Sequence, residues 1–172
     1  HAQSKLSKVE KIFELLEGGK NIALVSDAGT PTISDPGVLL VAQVREKFGD
    51  EISVVPIPGP SALITALSGA GVSVAEFTFL GFLPHKKGRE TLFKEIAASK
   101  RVMAFYESPH RIEKTFESLE KFCGGERRIV IARELTKMHE EFVRGTVSEV
   151  RAHYTSHPDR LRGEFVVIVE GV

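Results

Sequence analysis

Three loops in this 172-residue chain carry residue types suited to binding a ligand and acting on it. The first is Ser26-Asp27-Ala28-Gly29-Thr30-Pro31-Thr32-Ile33-Ser34-Asp35-Pro36-Gly37. Ala28 and Gly29 have almost no side chain, so a ligand can approach their backbone closely. Asp27 and Asp35 are acceptors for ribose hydroxyls or a substrate amine. The plainer reading of Asp35 is a helix cap, because Asp-Pro-Gly before an apolar helix is ordinary capping chemistry. The second loop is Pro56-Ile57-Pro58-Gly59-Pro60-Ser61-Ala62. Ser61 and Ala62 fall at a helix start, whose free N–H groups can bind a carboxylate or a polar base edge. A structural turn stiffened by prolines is the alternative. The third is Phe105-Tyr106-Glu107-Ser108-Pro109-His110-Arg111. Here His110 is a candidate base, Ser108 a candidate cap, and Glu107 with Arg111 a candidate surface ion pair.

Two charged clusters extend the set. Arg133-Glu134-Leu135-Thr136-Lys137-Met138-His139-Glu140-Glu141 follows an apolar run and reads either as part of a site or as a solvated loop. His85-Lys86-Lys87-Gly88-Arg89 is basic and suits phosphates, with a solvated helix start as the alternative.

Such loops need a scaffold that brings them to one side. The chain reads as alternating helices and short apolar runs. Ser7-Lys8-Val9-Glu10 has the capping-box pattern, Val9, Ile12, Phe13 and Leu16 follow at helical spacing, and Gly18-Gly19 ends that helix. Residues 22–26 and 52–56 read as strands, with a helix between them running to about Phe48. A third helix opens at Gly59-Pro60-Ser61 and ends near residues 69–71. Further strands are expected at residues 77–83, 102–106, 129–132 and 165–169. Leu92, Phe93 and Ile96 share one helical face, as do Ile112, Phe116 and Leu119, and Thr146-Val147-Ser148-Glu149 repeats the capping box. This alternation predicts α/β layers with mostly parallel strands, and ligands then bind outside the carboxyl ends of the strands. Two strands seldom make a stable sheet alone. The first set is therefore expected to lack an N-terminal strand, or to receive one from another copy. The domain boundary is expected within residues 72–77, giving domains 1–74 and 75–172.

Composition narrows the class. Lys plus Arg is 23 and Asp plus Glu is 23, which counts against a dedicated nucleic-acid binder while allowing a local basic patch. A single cysteine, Cys123, excludes an internal disulfide framework and any cysteine-rich zinc site, and a cytoplasmic setting is expected. There is no apolar run long enough for a membrane span. No metal signature, Walker loop, Gly-x-Gly-x-x-Gly or Gly-x-Ser-x-Gly is present. The residues alone thus reach an α/β protein with a ligand cleft.

The loops taken together resemble the tetrapyrrole methylase superfamily, and within it the branch that methylates a cytidine 2′-hydroxyl of small-subunit ribosomal RNA. The matching strings are Ala23 through Pro31 with Asp35-Pro36-Gly37, then Pro58-Gly59-Pro60-Ser61-Ala62, Phe79-Leu80-Gly81-Phe82-Leu83-Pro84, Phe105 through Arg111, Ala132 through Lys137, and Gly163-Glu164-Phe165. Each string alone is weak, but their joint order and spacing are specific. The resemblance implies two α/β/α domains, the first lacking its N-terminal strand or strands, with S-adenosylmethionine held in the cleft between them, and a homodimer. It implies cofactor contacts at Ala28, Gly29, Thr30, Ile33, Ser61, Ala62, Tyr106, Glu107, Leu135 and Thr136.

Methyl transfer to a ribose hydroxyl is a displacement at the sulfonium methyl, and placement of the nucleophile supplies much of the rate. The hydroxyl is a poor nucleophile, so a base or a nearby charge should help. Glu107, Lys137 and Glu140 are the candidates, and Lys86, Lys87, Arg89, Arg133 and Arg144 are the candidate RNA contacts. The expected partner is the RNA of the small (30S) subunit. A corrin or porphyrin precursor methylase is the first rival, since its polycarboxylate substrate also suits a basic cleft. A cofactor-binding module without turnover is the second.

Overall fold

The computed structural model describes residues 2–172. By packing, the chain forms two compact units, His1–Pro60 and Ser61–Val172.

The first unit holds two helices. Helix α1 spans Ala2–Glu17, so the start expected at Ser7 comes too late; nothing in the preceding residues has the low helix propensity that would stop it. Gly18 and Gly19 end it, with Gly19 at φ 71°. Helix α2 spans Val38–Phe48. Its N-cap is Gly37, at φ 126° and with no side-chain cap bond, which corrects the capping role expected of Asp35. Phe13 and Phe48 meet edge to face at 5.6 Å, and Lys47 pairs with Glu17 at 2.6 Å. The strands expected at residues 22–26 and 52–56 are not formed among the described residues. A strand exists through its ladder, and neither segment pairs with another. Val44 is the only buried side chain described in this unit. Val25, Leu39 and Ile57 are each more than 70% exposed.

The second unit is a five-stranded sheet covered on both faces. Its elements are helix α3 (Ala62–Ala70), strand β1 (Phe77–Phe82), helix α4 (Arg89–Ala98), strand β2 (Val102–Glu107), helix α5 (Ile112–Cys123), strands β3 (Arg128–Arg133) and β4 (Glu141–Thr146), helix α6 (Val147–Ser156) and strand β5 (Phe165–Val169). The strand order is β1-β2-β5-β3-β4. Only β1 and β2 pair in parallel, joined through the crossover helix α4; the other three pairs are antiparallel. The expectation of mostly parallel strands is corrected for two reasons. Strand β5 inserts between β2 and β3 running the opposite way. Strand β4 follows β3 through a short loop, which permits an antiparallel pair without a crossover helix.

Period-two alternation splits the strands between two apolar layers. Met103, Phe105, Ile129, Ile131, Phe165, Val167 and Val169 face α4, α5 and α6, and meet Phe93, Ile96, Phe116, Leu119, Val150 and Tyr154 there. Val102, Ala104, Val130, Ala132, Val166 and Ile168 face α3 and meet Leu63, Ala66, Leu67 and Ala70. Alanines on both sides of this second layer let α3 lie close to the sheet. Each large side chain so buried contributes about 1.5–3 kcal/mol. Packing therefore assigns α3 to the second unit, ahead of the boundary expected at 74/75.

Several local signals act as expected. Ser61 caps α3 by accepting from the Ile64 N–H at 3.4 Å, and Gly71 ends it in the left-handed conformation at φ 72°. Thr146 and Glu149 form a complete capping box on α6. Ser108 does not cap α5, whose N-cap position is Arg111. The Ser108 carbonyl instead accepts from the N–H groups of both Arg111 and Ile112.

Candidate functional site

Strands β1, β2 and β3 run the same way, because β5 is antiparallel to both β2 and β3. Their carboxyl ends therefore open on one edge of the sheet, which carries residues 83–88, 108–111 and 134–140. The start of α3 reaches the same edge: the Leu63 N–H donates to the Tyr106 hydroxyl at 3.2 Å. Tyr106 also packs against Phe79 and Phe82, with ring centroids 4.9 and 5.4 Å away. A bulge between Phe79 and Phe82, with Gly81 at φ 63°, bends β1 there.

Glu107 lies beneath this edge with no exposed side-chain surface. Its Oε1 accepts from the Ser108 N–H at 2.8 Å and pairs with Arg111 Nη2 at 2.7 Å. Its Oε2 accepts from the Thr115 hydroxyl at 2.7 Å and pairs with Arg89 Nη2 at 3.4 Å. Each guanidinium also donates to the chain leaving β1: Arg111 Nη1 to the Leu83 carbonyl at 2.7 Å, and Arg89 Nη1 to the Pro84 carbonyl at 3.3 Å. A carboxylate with both oxygens engaged and no surface cannot take a proton from a substrate, so Glu107 is corrected from catalytic candidate to organiser. Arg89 is corrected too. It is an internal ion-pair partner, only 14% exposed, and not a phosphate contact.

The loop over residues 134–140 is braced from below and from within. Arg133, 7% exposed, donates to the Arg162 carbonyl at 2.7 Å and the His139 carbonyl at 3.2 Å, which removes it from the candidate RNA contacts. Glu134 and Thr136 hold left-handed conformations at φ 50° and 66°, uncommon for residues with a Cβ. Lys137 Nζ reaches Glu134 at 2.8 Å and Glu164 at 2.9 Å. These carboxylates, Glu134 first, raise the lysine above its ordinary range, and Lys137 together with the Glu164 N–H holds Glu134 below the ordinary carboxylate range. A lysine so held keeps its proton, so Lys137 is a fixed cation here and not a base. The Glu140 carboxylate accepts from the Thr136 N–H at 2.6 Å and sits on an exposed stretch. Leu135 packs inward on the α3 layer, while Met138 is 94% exposed at the loop's tip.

The remaining cations divide. Lys86 and Lys87 are exposed beside His85. Arg144 donates to the Ala70 carbonyl at 3.0 Å and to the Gly69 carbonyl, and lies over the Phe142 ring. It thus closes the carboxyl end of α3, where a cation is favoured. His110 is exposed.

In the first unit, Thr30 ties the loop of residues 27–37 to the end of the second loop by donating to the Pro60 carbonyl at 3.0 Å. Ser26 Oγ lies 3.2 Å from the carbonyls of Ala28 and Gly29. Gly29 sits at φ 73°, and a Cβ there would point towards the Pro60 carbonyl, 4.0 Å away. Ile33 is 52% exposed. Small residues such as Ala28 and Gly29 leave this backbone open to the close approach of a nucleoside cofactor.

Sequence reasoning missed Thr115 and paired Glu107 only with Arg111. The signal for Thr115 was a hydroxyl on the otherwise apolar face formed by Ile112, Phe116 and Leu119. Among the described residues no helix is long and apolar enough to cross a membrane.

The chain is 46% identical over 172 residues to ribosomal RNA small subunit methyltransferase I of Haemophilus influenzae, covering 99% of this chain and 60% of that protein. It is 45% identical over 174 residues to the Bacillus subtilis protein of that name, covering 99% of this chain and 57% of that one. The chain thus spans about three fifths of the length of these relatives. Among solved structures, the methyltransferase CobJ superposes with a TM-score of 0.69 at 20% identity, covering 97% of this chain and 71% of that one. The cobalt precorrin-4 methyltransferase CbiF superposes with a TM-score of 0.65 at 15% identity, covering 95% and 69%. These two share the α/β fold. The family model of tetrapyrrole (corrin/porphyrin) methylases matches residues 2–151, and the chain belongs to that family.

Proposed function

We propose that this chain is part of an S-adenosylmethionine-dependent methyltransferase that modifies a cytidine 2′-hydroxyl in small-subunit ribosomal RNA. The observation that carries the reading is the 43–46% identity, along 99% of the chain, to relatives named for that RNA. Identity to the corrin methylases is 15–20% and speaks for the fold alone. The reading brings with it the RNA of the small subunit as partner, a homodimer, a cytoplasmic setting, and two α/β/α domains, the first lacking its N-terminal strand or strands.

The cofactor supplies an activated methyl group. By the family resemblance, Ala28, Gly29, Thr30 and Ile33 would contact it. By the same resemblance Ser61, Ala62, Tyr106, Leu135 and Thr136 would do so. The backbone of Glu107 would take part, while its carboxylate organises the edge. Lys137, held protonated, would favour negative charge developing on the ribose oxygen. Glu140, an exposed carboxylate, would accept its proton. Lys86 and Lys87 would bind phosphates.

A second reading, a cofactor-binding module without turnover, draws support from the first unit, where Val44 alone is buried among the described side chains. Calorimetric titration with S-adenosylhomocysteine, followed by transfer of tritiated methyl to 30S subunits, separates the cases. Binding with transfer supports the enzyme. Binding without transfer supports the module. Absence of binding by the folded protein overturns both.

A further inference from the structure

We infer that Glu107 is a positioning residue for substrate RNA, acting through Arg89 and Arg111 to fix the loop that carries Lys86 and Lys87. The inference rests on the RNA-methylating reading above and adds a part that no catalytic candidate supplies. The carboxylate is fully buried, and each guanidinium is 14% exposed. One guanidinium bridges Glu107 to the Leu83 carbonyl and the other to the Pro84 carbonyl. These are consecutive residues at the exit of β1, just before the exposed His85-Lys86-Lys87. The same cluster holds the starts of two helices, since Arg89 opens α4 and Thr115 lies in α5. A planar, forked guanidinium can satisfy a carboxylate and a backbone carbonyl together, whereas an ammonium is a point charge without that reach.

The test combines Glu107→Gln with Lys86→Ala/Lys87→Ala in the full chain. A fluorescein-labelled single-stranded RNA oligonucleotide is titrated at several salt concentrations, and S-adenosylhomocysteine binding is measured alongside. Glu107→Gln is expected to weaken RNA binding about tenfold. The slope of log K against log salt should fall by about 1.4, the contribution of two phosphate contacts on a single strand. Amide exchange in residues 85–88 should quicken without RNA. Removing both lysines in the Glu107→Gln background should then cost little more, because their contacts are already lost. If Glu107→Gln does not fold, Arg111→Lys, which keeps the charge and loses the bridge, is expected to show the same slope change. Wild-type binding with an unchanged slope in the folded variant, or full additivity with the lysine pair, overturns the positioning role alone. No RNA binding by the folded wild-type chain overturns the RNA reading and this role with it.

Discussion

The Leu63 N–H donates to the Tyr106 hydroxyl, so one bond joins the carboxyl end of β2 to the first turn of α3. Two polar groups thus serve that turn, since Ser61 accepts from Ile64. Tyr106→Phe keeps the ring contacts with Phe79 and Phe82 and removes the hydroxyl. It is expected to cost about 1 kcal/mol, the typical net worth of such a bond. Urea unfolding followed by circular dichroism measures this, and an unchanged midpoint would count against the bond.

Glu107→Ala should be far more damaging. It leaves Arg89 and Arg111 facing each other without their shared carboxylate. Breaking a buried pair from one side costs about 3–5 kcal/mol. The expected result is a large loss in chemical-denaturation midpoint, several times that of Tyr106→Phe. A loss below about 1 kcal/mol would show that the guanidiniums find solvent easily.

The bridge from Lys137 to Glu134 and Glu164 gives the loop of residues 134–140 a defined pH window. Glu134 is lowered on folding, so its contribution is present above its ordinary value of 4.5 and is lost as pH falls through the lower folded value. Lys137 is raised, so its contribution is present below 10.5 and is lost as pH rises through the higher folded value. Both groups are solvent-accessible, and the effect on global stability should stay under about 1 kcal/mol. Amide exchange in the loop is the sharper probe. Protection should hold between these limits and fall beyond either, and Lys137→Gln should flatten the profile.

Gly29→Val tests the proposed cofactor contact. The substitution forces a β-branched residue to φ 73° and fills the space towards Pro60. S-adenosylhomocysteine affinity should drop at least tenfold by calorimetry, about 1.4 kcal/mol. Undiminished binding by a folded variant would place the cofactor elsewhere.

Legibility followed burial. The runs that became β2, β3 and β5 are apolar at almost every position because both faces of the sheet are covered. Strand β4 is an edge strand, half-exposed and interrupted by Arg144 and Gly145, so its residues give no continuous apolar signal. Residues 22–26 and 52–56 mislead in the opposite sense, being apolar like buried strands yet without a ladder partner. The site shows the same division. Exposed Lys86 and Lys87 are readable because a surface charge needs no partner. Arg89 and Arg133 look identical in sequence, and only the fold reveals that Glu107 and two backbone carbonyls claim them.

The strand order has a consequence for biosynthesis. Strand β5 comes last in sequence among the five strands of this sheet, yet it occupies the centre between β2 and β3. Until Phe165–Val169 has been synthesised, the β1–β2 pair and the β3–β4 hairpin have no common neighbour. Domains generally fold as units while the chain grows. The native sheet of this unit therefore cannot be completed until residues 165–169 have been synthesised.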